Sequence, residues 1–162
     1  MKNSPSIKTI LYCSDLGGGT VPVFLHALAM AKQYDAEIIM VHVVEPMSDS
    51  AKAVIRAYLT KDITNESQKE VMKETLVRMK KRLKGFYKSE AMDDDYAKLV
   101  KKVHVVAGKP SEEILRLAEK TKADMIIMGK STRKVRGIRV MGSTARRVSR
   151  MCKVPVLVVP NF

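Results

Sequence analysis

The sequence predicts an α/β protein: a single doubly wound domain with a five-stranded, mostly parallel sheet and helices on both faces. Three observations predict it. Short, nearly continuous apolar runs recur along the chain, as buried parallel strands require. Segments of helical periodicity separate them, which implies right-handed crossover connections. The length, 162 residues of which 46% are hydrophobic and 29% charged, suits one globular unit able to bury a core without staples.

The elements follow in order. Thr9 to Ser14 is an apolar, partly β-branched run, and Asp15-Leu-Gly-Gly-Gly breaks it, which reads as a buried strand ending in a loop. Thr20 to Tyr34 turns helical, with Thr20 as its expected N-cap, Pro22 in the first turn, and Val23, Ala27, Met30 and Ala31 on one face. Glu37 to Val44 is a second apolar strand. A long helical middle segment, about 46–102, shows no obvious strand. Met72, Leu76, Met79, Leu83 and Phe86 mark an amphipathic helix beginning near Thr64 or Asn65. Ala51 to Leu59 reads as a shorter helix or part of a lid, and Glu90 to Asp95 as an acidic break. Val103 to Ala107 is a third strand closed by Gly108. Pro110-Ser-Glu-Glu then opens a helix with acids in its first turn, where the dipole favours them. Met125 to Met128 is the fourth strand; a basic, glycine-punctuated loop follows, a helix starts near Gly142-Ser143, and Val154 to Val159 is the fifth strand.

Charge and cysteine content narrow the function classes. The net charge is +13, and from Met125 to Phe162 there are nine Lys and Arg and no acid. Such a block suits phosphate, nucleic acid or an anionic surface, or serves as a solvated basic face. Only Phe162 is aromatic after Tyr96, so the stacking platforms of single-strand binders are absent there. No apolar run approaches the roughly 20 residues of a membrane span, and Met1 to Ser6 carries no apolar signal region. Cys13 and Cys152 lie far apart and outside any metal-ligand spacing, so a cytoplasmic protein without disulfide or zinc is expected.

In a doubly wound sheet, ligands bind beyond the carboxyl ends of the strands, at the point where strand order reverses. That places Asp15, the loop after Val43, Gly108 and the segment Gly129 to Ser143 on one rim. A helix leaving from Gly142-Ser143 offers unpaired N–H groups and partial positive charge to an anion, with Ser143 and Thr144 as hydroxyl donors. The bland alternative is a pair of turn glycines, a helix-capping serine and an Asp15 carboxylate that caps backbone N–H groups. His26, His42 and His104 are scattered, and no nucleophile–base constellation can be assembled; Cys13 reads as a buried strand thiol and the eleven methionines as core filler.

These segments together resemble the universal stress protein family. Ile10-Leu-Tyr-Cys-Ser-Asp15 resembles the family's first strand and terminal aspartate, and Val41-His-Val-Val its second strand. Gly108-Lys-Pro-Ser and Ala123-Asp-Met-Ile-Ile-Met-Gly129 resemble the third and fourth strand regions, and Gly142-Ser143 with Val154-Pro-Val-Leu-Val-Val completes the pattern. Nucleotide-binding members carry G-x-x-G-x9-G-[S/T]; here the elements are Gly129, Thr132 and Gly142-Ser143, with the spacing intact and threonine at the middle glycine. Some members lack the glycine pattern and do not bind ATP. The threonine hydroxyl, with Lys130, Arg133 and Lys134, offsets the change.

The resemblance implies binding of ATP or a related adenine nucleotide, with Mg²⁺ accompanying a triphosphate, and a role as stress-response sensor or regulator rather than metabolic enzyme. Asp15 would accept hydrogen bonds from ribose hydroxyls and the Val43 backbone would read the adenine edge. Cys13, where the family usually has proline, would lie beside the base, and Met128 and Gly129 under the ribose. Ser131, Thr132, Gly142, Ser143 and Thr144 complete the expected nucleotide set on the phosphate side. The resemblance also implies a homodimer through the C-terminal strand. The alternatives are a nucleotide-free interaction module of the same fold, working through a regulatory protein partner, and a basic nucleic-acid binder; no membrane partner is expected.

Thr132→Gly is expected to tighten ATP binding or leave it unchanged, since it relieves a Cβ but forfeits a hydroxyl and adds chain entropy. Titration calorimetry checks this; a tenfold loss, about 1.4 kcal/mol, would make Thr132 itself a ligand.

Overall fold

The computed structural model describes residues 4–17, 19–58, 65–91, 93–130 and 134–161. The chain runs β1 (Thr9–Cys13), α1 (Thr20–Tyr34), β2 (Glu37–Val44), α2 (Asp49–Tyr58), α3 (Asn65–Glu90), α4 (Asp94–Lys98), β3 (Val100–Ala107), α5 (Pro110–Lys120), β4 (Met125–Gly129), β5 (Lys134–Val135), β6 (Ile138–Arg139), α6 (Ser143–Met151) and β7 (Val156–Val159). Five strands form one sheet in the order β3-β2-β1-β4-β7, all pairs parallel. The predicted α/β sheet is therefore present, with β1 at its centre and β7 at an edge.

Alternation along β1 sorts the core into two layers. Ile10 and Tyr12 face α1 and α3, where Phe24, Leu28 and Leu83 are fully buried. Leu11, between them, faces α5 and α6 with Ile114, Leu117 and Val148. The first layer holds an aromatic chain: Tyr12 to Phe24 at 5.4 Å between ring centroids and Phe24 to Phe86 at 5.2 Å, both tilted. Leu83 and Phe86 thus carry the expected apolar stripe of α3 onto the sheet, whereas the exposed Val71 and Val77 lie off it.

Five local expectations are corrected. Thr20 is the first residue of α1 and Gly19 its N-cap, with no side-chain cap bond; the Thr20 hydroxyl turns back to the preceding loop instead. β3 begins at Val100, because its exposed Lys101 and Lys102 belong to an edge strand that needs no apolar outer face. The acidic break contains α4, nucleated when Asp93 Oδ1 accepts the N–H groups of Asp95 and Tyr96 at 2.9 and 3.0 Å. The basic loop contains the antiparallel ribbon β5–β6. Val154 and Pro155 precede β7, and Pro155 serves the sheet through its carbonyl, which accepts the N–H of Ile126 at 2.9 Å.

Cys13 ends β1 on the α5–α6 side, and both it and Cys152 are free thiols packed against that layer. Burial pushes the Cys13 thiol up, and the nearby Cys152 adds a smaller push in the same direction. The unfolded chain therefore loses this proton first. The stabilising contribution of the neutral thiol is whole below the unfolded value of about 8.5 and is lost as pH rises above it. Wild type is accordingly expected to lose part of its stability advantage over Cys13→Ala between pH 8 and pH 10, measured by urea unfolding of the pair. An advantage that stays constant or grows across that range would contradict a raised thiol.

Candidate functional site

The sheet topology dictates where a crevice forms. Chain order reverses between β1 and β4, so α1 leaves β1 on one face while α6 follows β4 on the other. Above the carboxyl ends of β1, β2 and β4 lies a cavity of about 340 Å³. Of the predicted residues, Cys13, Asp15, Val43, Met128, Gly129, Gly142, Ser143 and Thr144 all line it. Ser131 and Thr132 lie outside the described residues.

Asp15 sits on the turn that joins β1 to α1. Its Oδ1 accepts the Gly17 N–H at 2.8 Å, and the Thr20 hydroxyl lies 2.7 Å from it and 2.6 Å from the Gly17 carbonyl. This turn holds the carboxylate in place by one oxygen and leaves Oδ2 without a partner among the described residues. The capping role foreseen for an isolated loop aspartate and a ligand role at the cavity are thus carried by different oxygens of one side chain.

The opposite wall is the amino end of α6. Gly142 is the N-cap, and no side chain caps the helix. The Gly142 N–H donates to the Lys130 carbonyl at 2.9 Å, and the Lys130 N–H donates to the Val159 carbonyl at 2.8 Å, which fastens both ends of the intervening loop to the sheet. The residues of the first helical turn, Ser143 to Ala145, line the cavity. A helix start without a side-chain cap presents orphan N–H groups and the positive end of the helix dipole to whatever fills that space.

Gly129 has a packing reason of its own. A Cβ there would lie 2.9 Å from Asn161 Nδ2 and 3.3 Å from a Val23 methyl, and one on Gly19 would lie 3.2 Å from Asn161. The buried Asn161 is thus wedged between the two glycines, and it lines the cavity floor. Sequence reading overlooked it; the available signal was its place just past an apolar strand, at the carboxyl-end rim where ligands gather. His42, one of the three scattered histidines, also borders the cavity. Its Nδ1 lies 2.7 Å from the Ser14 carbonyl. A carbonyl only accepts, so Nδ1 carries the proton, and in the neutral ring Nε2 is the free acceptor. Gly108 donates its N–H to Val44 at 3.0 Å and does not line the cavity, although Pro110 from the following helix does. Among the described residues no cluster of three or more His, Cys, Asp or Glu could hold a metal.

Comparison with known proteins agrees with this architecture. The family model described as "Universal stress protein family" matches residues 6–160. The chain is 30% identical over 154 residues to the universal stress protein MJ0531 of Methanocaldococcus jannaschii, covering 94% of this chain and 81% of that protein. The solved structure of MJ0577 from the same organism superposes with a TM-score of 0.71 at 24% identity, covering 96% and 97% of the two chains. A universal stress protein solved in complex with cAMP superposes at 0.54 and 20% identity, covering 96% and 98%. The central β1, the reversal of strand order beside it and a family match spanning nearly the whole sequence lead to one conclusion: the chain belongs to the universal stress protein family.

Proposed function

We propose that this protein binds ATP or a related adenine nucleotide in the rim cavity and acts as a nucleotide-dependent sensor or regulator of a stress response. The observation that carries the reading is the meeting of the uncapped amino end of α6 and the Asp15 carboxylate in one cavity. The two ends are chemically opposite, donors for an anion on one side and an acceptor for hydroxyls on the other, which is what a ribose phosphate needs. A volume of about 340 Å³ lies within the usual range for small-molecule sites. A relative of the same fold solved with cAMP supports an adenine ligand.

In this reading Asp15 Oδ2 accepts from the ribose, and the amides and hydroxyls of Ser143 and Thr144 hold phosphate. The Val43 backbone and Cys13 border the base, with Met128 and Gly129 beneath the sugar. Ser131 and Thr132 complete the phosphate loop by sequence. A magnesium ion would be held by the phosphates and water, since a triphosphate brings its own hard oxygen ligands. Among the described residues no general base stands out for γ-phosphate chemistry, so any hydrolysis is expected to be slow. Two free thiols support a reducing, cytoplasmic setting, and among the described residues no helix is long and apolar enough to cross a membrane.

Calorimetry with ATP, ADP and AMP, alongside mass spectrometry of nucleotide released on denaturation, tests the ligand. Binding at micromolar to millimolar concentration is expected, weakened at least tenfold by Asp15→Ala. The absence of both heat and thermal shift at millimolar nucleotide would instead favour a nucleotide-free interaction module.

The same reading includes a homodimer through β7. This strand pairs with β4 on one side and ends the sheet on the other. Its Val156, Leu157 and Val158 are only half-buried. An open apolar edge invites pairing with a second copy across a two-fold axis. Wild type is expected to sediment as a dimer at micromolar concentration and Val158→Lys as a folded monomer, its fold checked by circular dichroism. A monomeric wild type would refute the dimer, and two dimers would move the interface elsewhere.

A further inference from the structure

We propose that Lys130 makes the rim cavity selective for the number of phosphates on its nucleotide, so that the protein takes the metal-free polyphosphate and does not need Mg²⁺ for affinity. Resting on the nucleotide reading, this names which adenine nucleotides the site prefers and which residue decides. Lys130 directly follows Gly129, the last residue of β4, and is half-buried. It lines the cavity together with Gly142, Ser143 and Thr144 at the start of α6.

The main chain of Lys130 is already committed. Its N–H donates to the Val159 carbonyl at 2.8 Å, and its carbonyl accepts the Gly142 N–H at 2.9 Å. A residue with both backbone groups in use has its side chain left to offer a ligand. That side chain ends in an ammonium with three donors and no acceptor. The bond to Gly142 also fixes where the lysine stem begins, one hydrogen bond from the N-cap of α6. The ammonium and the positive end of the helix dipole therefore act on the same end of the cavity.

The charges around the cavity decide what this ammonium meets. Among the described residues lining it, Lys130 is the one Lys or Arg and Asp15 the one carboxylate. Asp15 belongs to the β1–α1 turn, which holds its Oδ1 and which the nucleotide reading assigns to the ribose. Glu112, two residues beyond the cavity-lining Pro110, is shared by Lys109 at 3.2 Å and Arg147 at 3.6 Å. Among the described residues no carboxylate pairs with Lys130. An ammonium without a counter-ion, beside an uncapped helix start, attracts a nucleotide more strongly with each phosphate added. Mg²⁺ neutralises part of that phosphate charge and occupies the same oxygens, and at this end of the cavity it finds no carboxylate in return. Chelation therefore weakens the attraction to Lys130 without adding a protein ligand, and the bare polyphosphate is the better fit.

Titration calorimetry of the full chain with AMP, ADP and ATP, in EDTA and again with excess Mg²⁺, tests this. In EDTA wild type is expected to bind ATP at least about tenfold more tightly than AMP, with ADP between them. Mg²⁺ should leave the ATP affinity unchanged or lower it. Lys130→Met keeps the length of the side chain and removes its charge, so it should bring ATP affinity down to the AMP level, whereas Lys130→Arg should keep the preference. The ratio of ATP to AMP affinity is the readout, since a loosened loop would weaken both nucleotides together. Thermal midpoints near that of wild type check that the variants fold. No binding of any nucleotide by wild type overturns the proposal together with the nucleotide reading. Equal affinity of wild type for AMP and ATP, a preference that survives in Lys130→Met, or ATP binding that appears only with Mg²⁺ overturns the proposal alone and leaves the nucleotide reading standing.

Discussion

The structure depends on β1 being paired along both edges. Its five residues bond to β2 on one side and β4 on the other, and the three central side chains have no solvent exposure. A parallel strand in that position must be apolar on both faces, and each face demands its own helical cover. Because crossovers share one hand, the cover on one face arises from connections running one way along the sheet, and that on the other from connections running back. The place where the direction changes cannot be roofed by a crossover. The cavity is thus a consequence of chain topology before any side chain is considered.

What fills the edges of that opening is decided by small residues and short bonds. Gly19 and Gly129 allow Asn161 to come in from the end of β7, so that three loops touch at one buried amide. Asp15 is anchored by Thr20 and the Gly17 N–H, both within five residues of it. The amino end of α6 is fixed through Gly142 and Lys130 to the sheet itself. Each group that could meet a ligand is therefore held by atoms other than those it would present. Preorganisation of this kind lowers the ordering cost of binding.

The sequence disclosed the buried parts best. β1 and β2 are nearly uninterrupted apolar runs, and α3 repeats its apolar residues at helical spacing, so burial on two faces or one stripe is written directly into residue type. Elements with little burial were less legible. The first residues of β3 are an exposed edge, so Lys101 and Lys102 hid the strand's beginning. The helix α4 has no buried residue, and its capping aspartate was hidden in a run of acids. The β5–β6 turn lacks the Asn-Gly signal that marks such hairpins. At the site, Asp15 and Gly142-Ser143 were visible through their motif. Asn161 was not, because its role depends on two glycines more than thirty residues away, and no local pattern records such a contact.

Charge is distributed on a different logic from the core. The nine cations after Met125 have no acid among them in sequence, and α5 supplies only a few partners, through Glu112 and Glu119. Exposed pairs of this sort contribute at most about 1 kcal/mol each, so they do not explain the accumulation of cations. Nor does folding: crowding like charges on a hairpin and one short helix raises the energy of the compact state. The α6 helix also begins with its positive dipole end, which adds to the same field instead of offsetting it. A region that concentrates positive potential at a cost to its own stability, beside a cavity bordered by the uncapped amino end of α6, has no explanation in the packing of the fold alone.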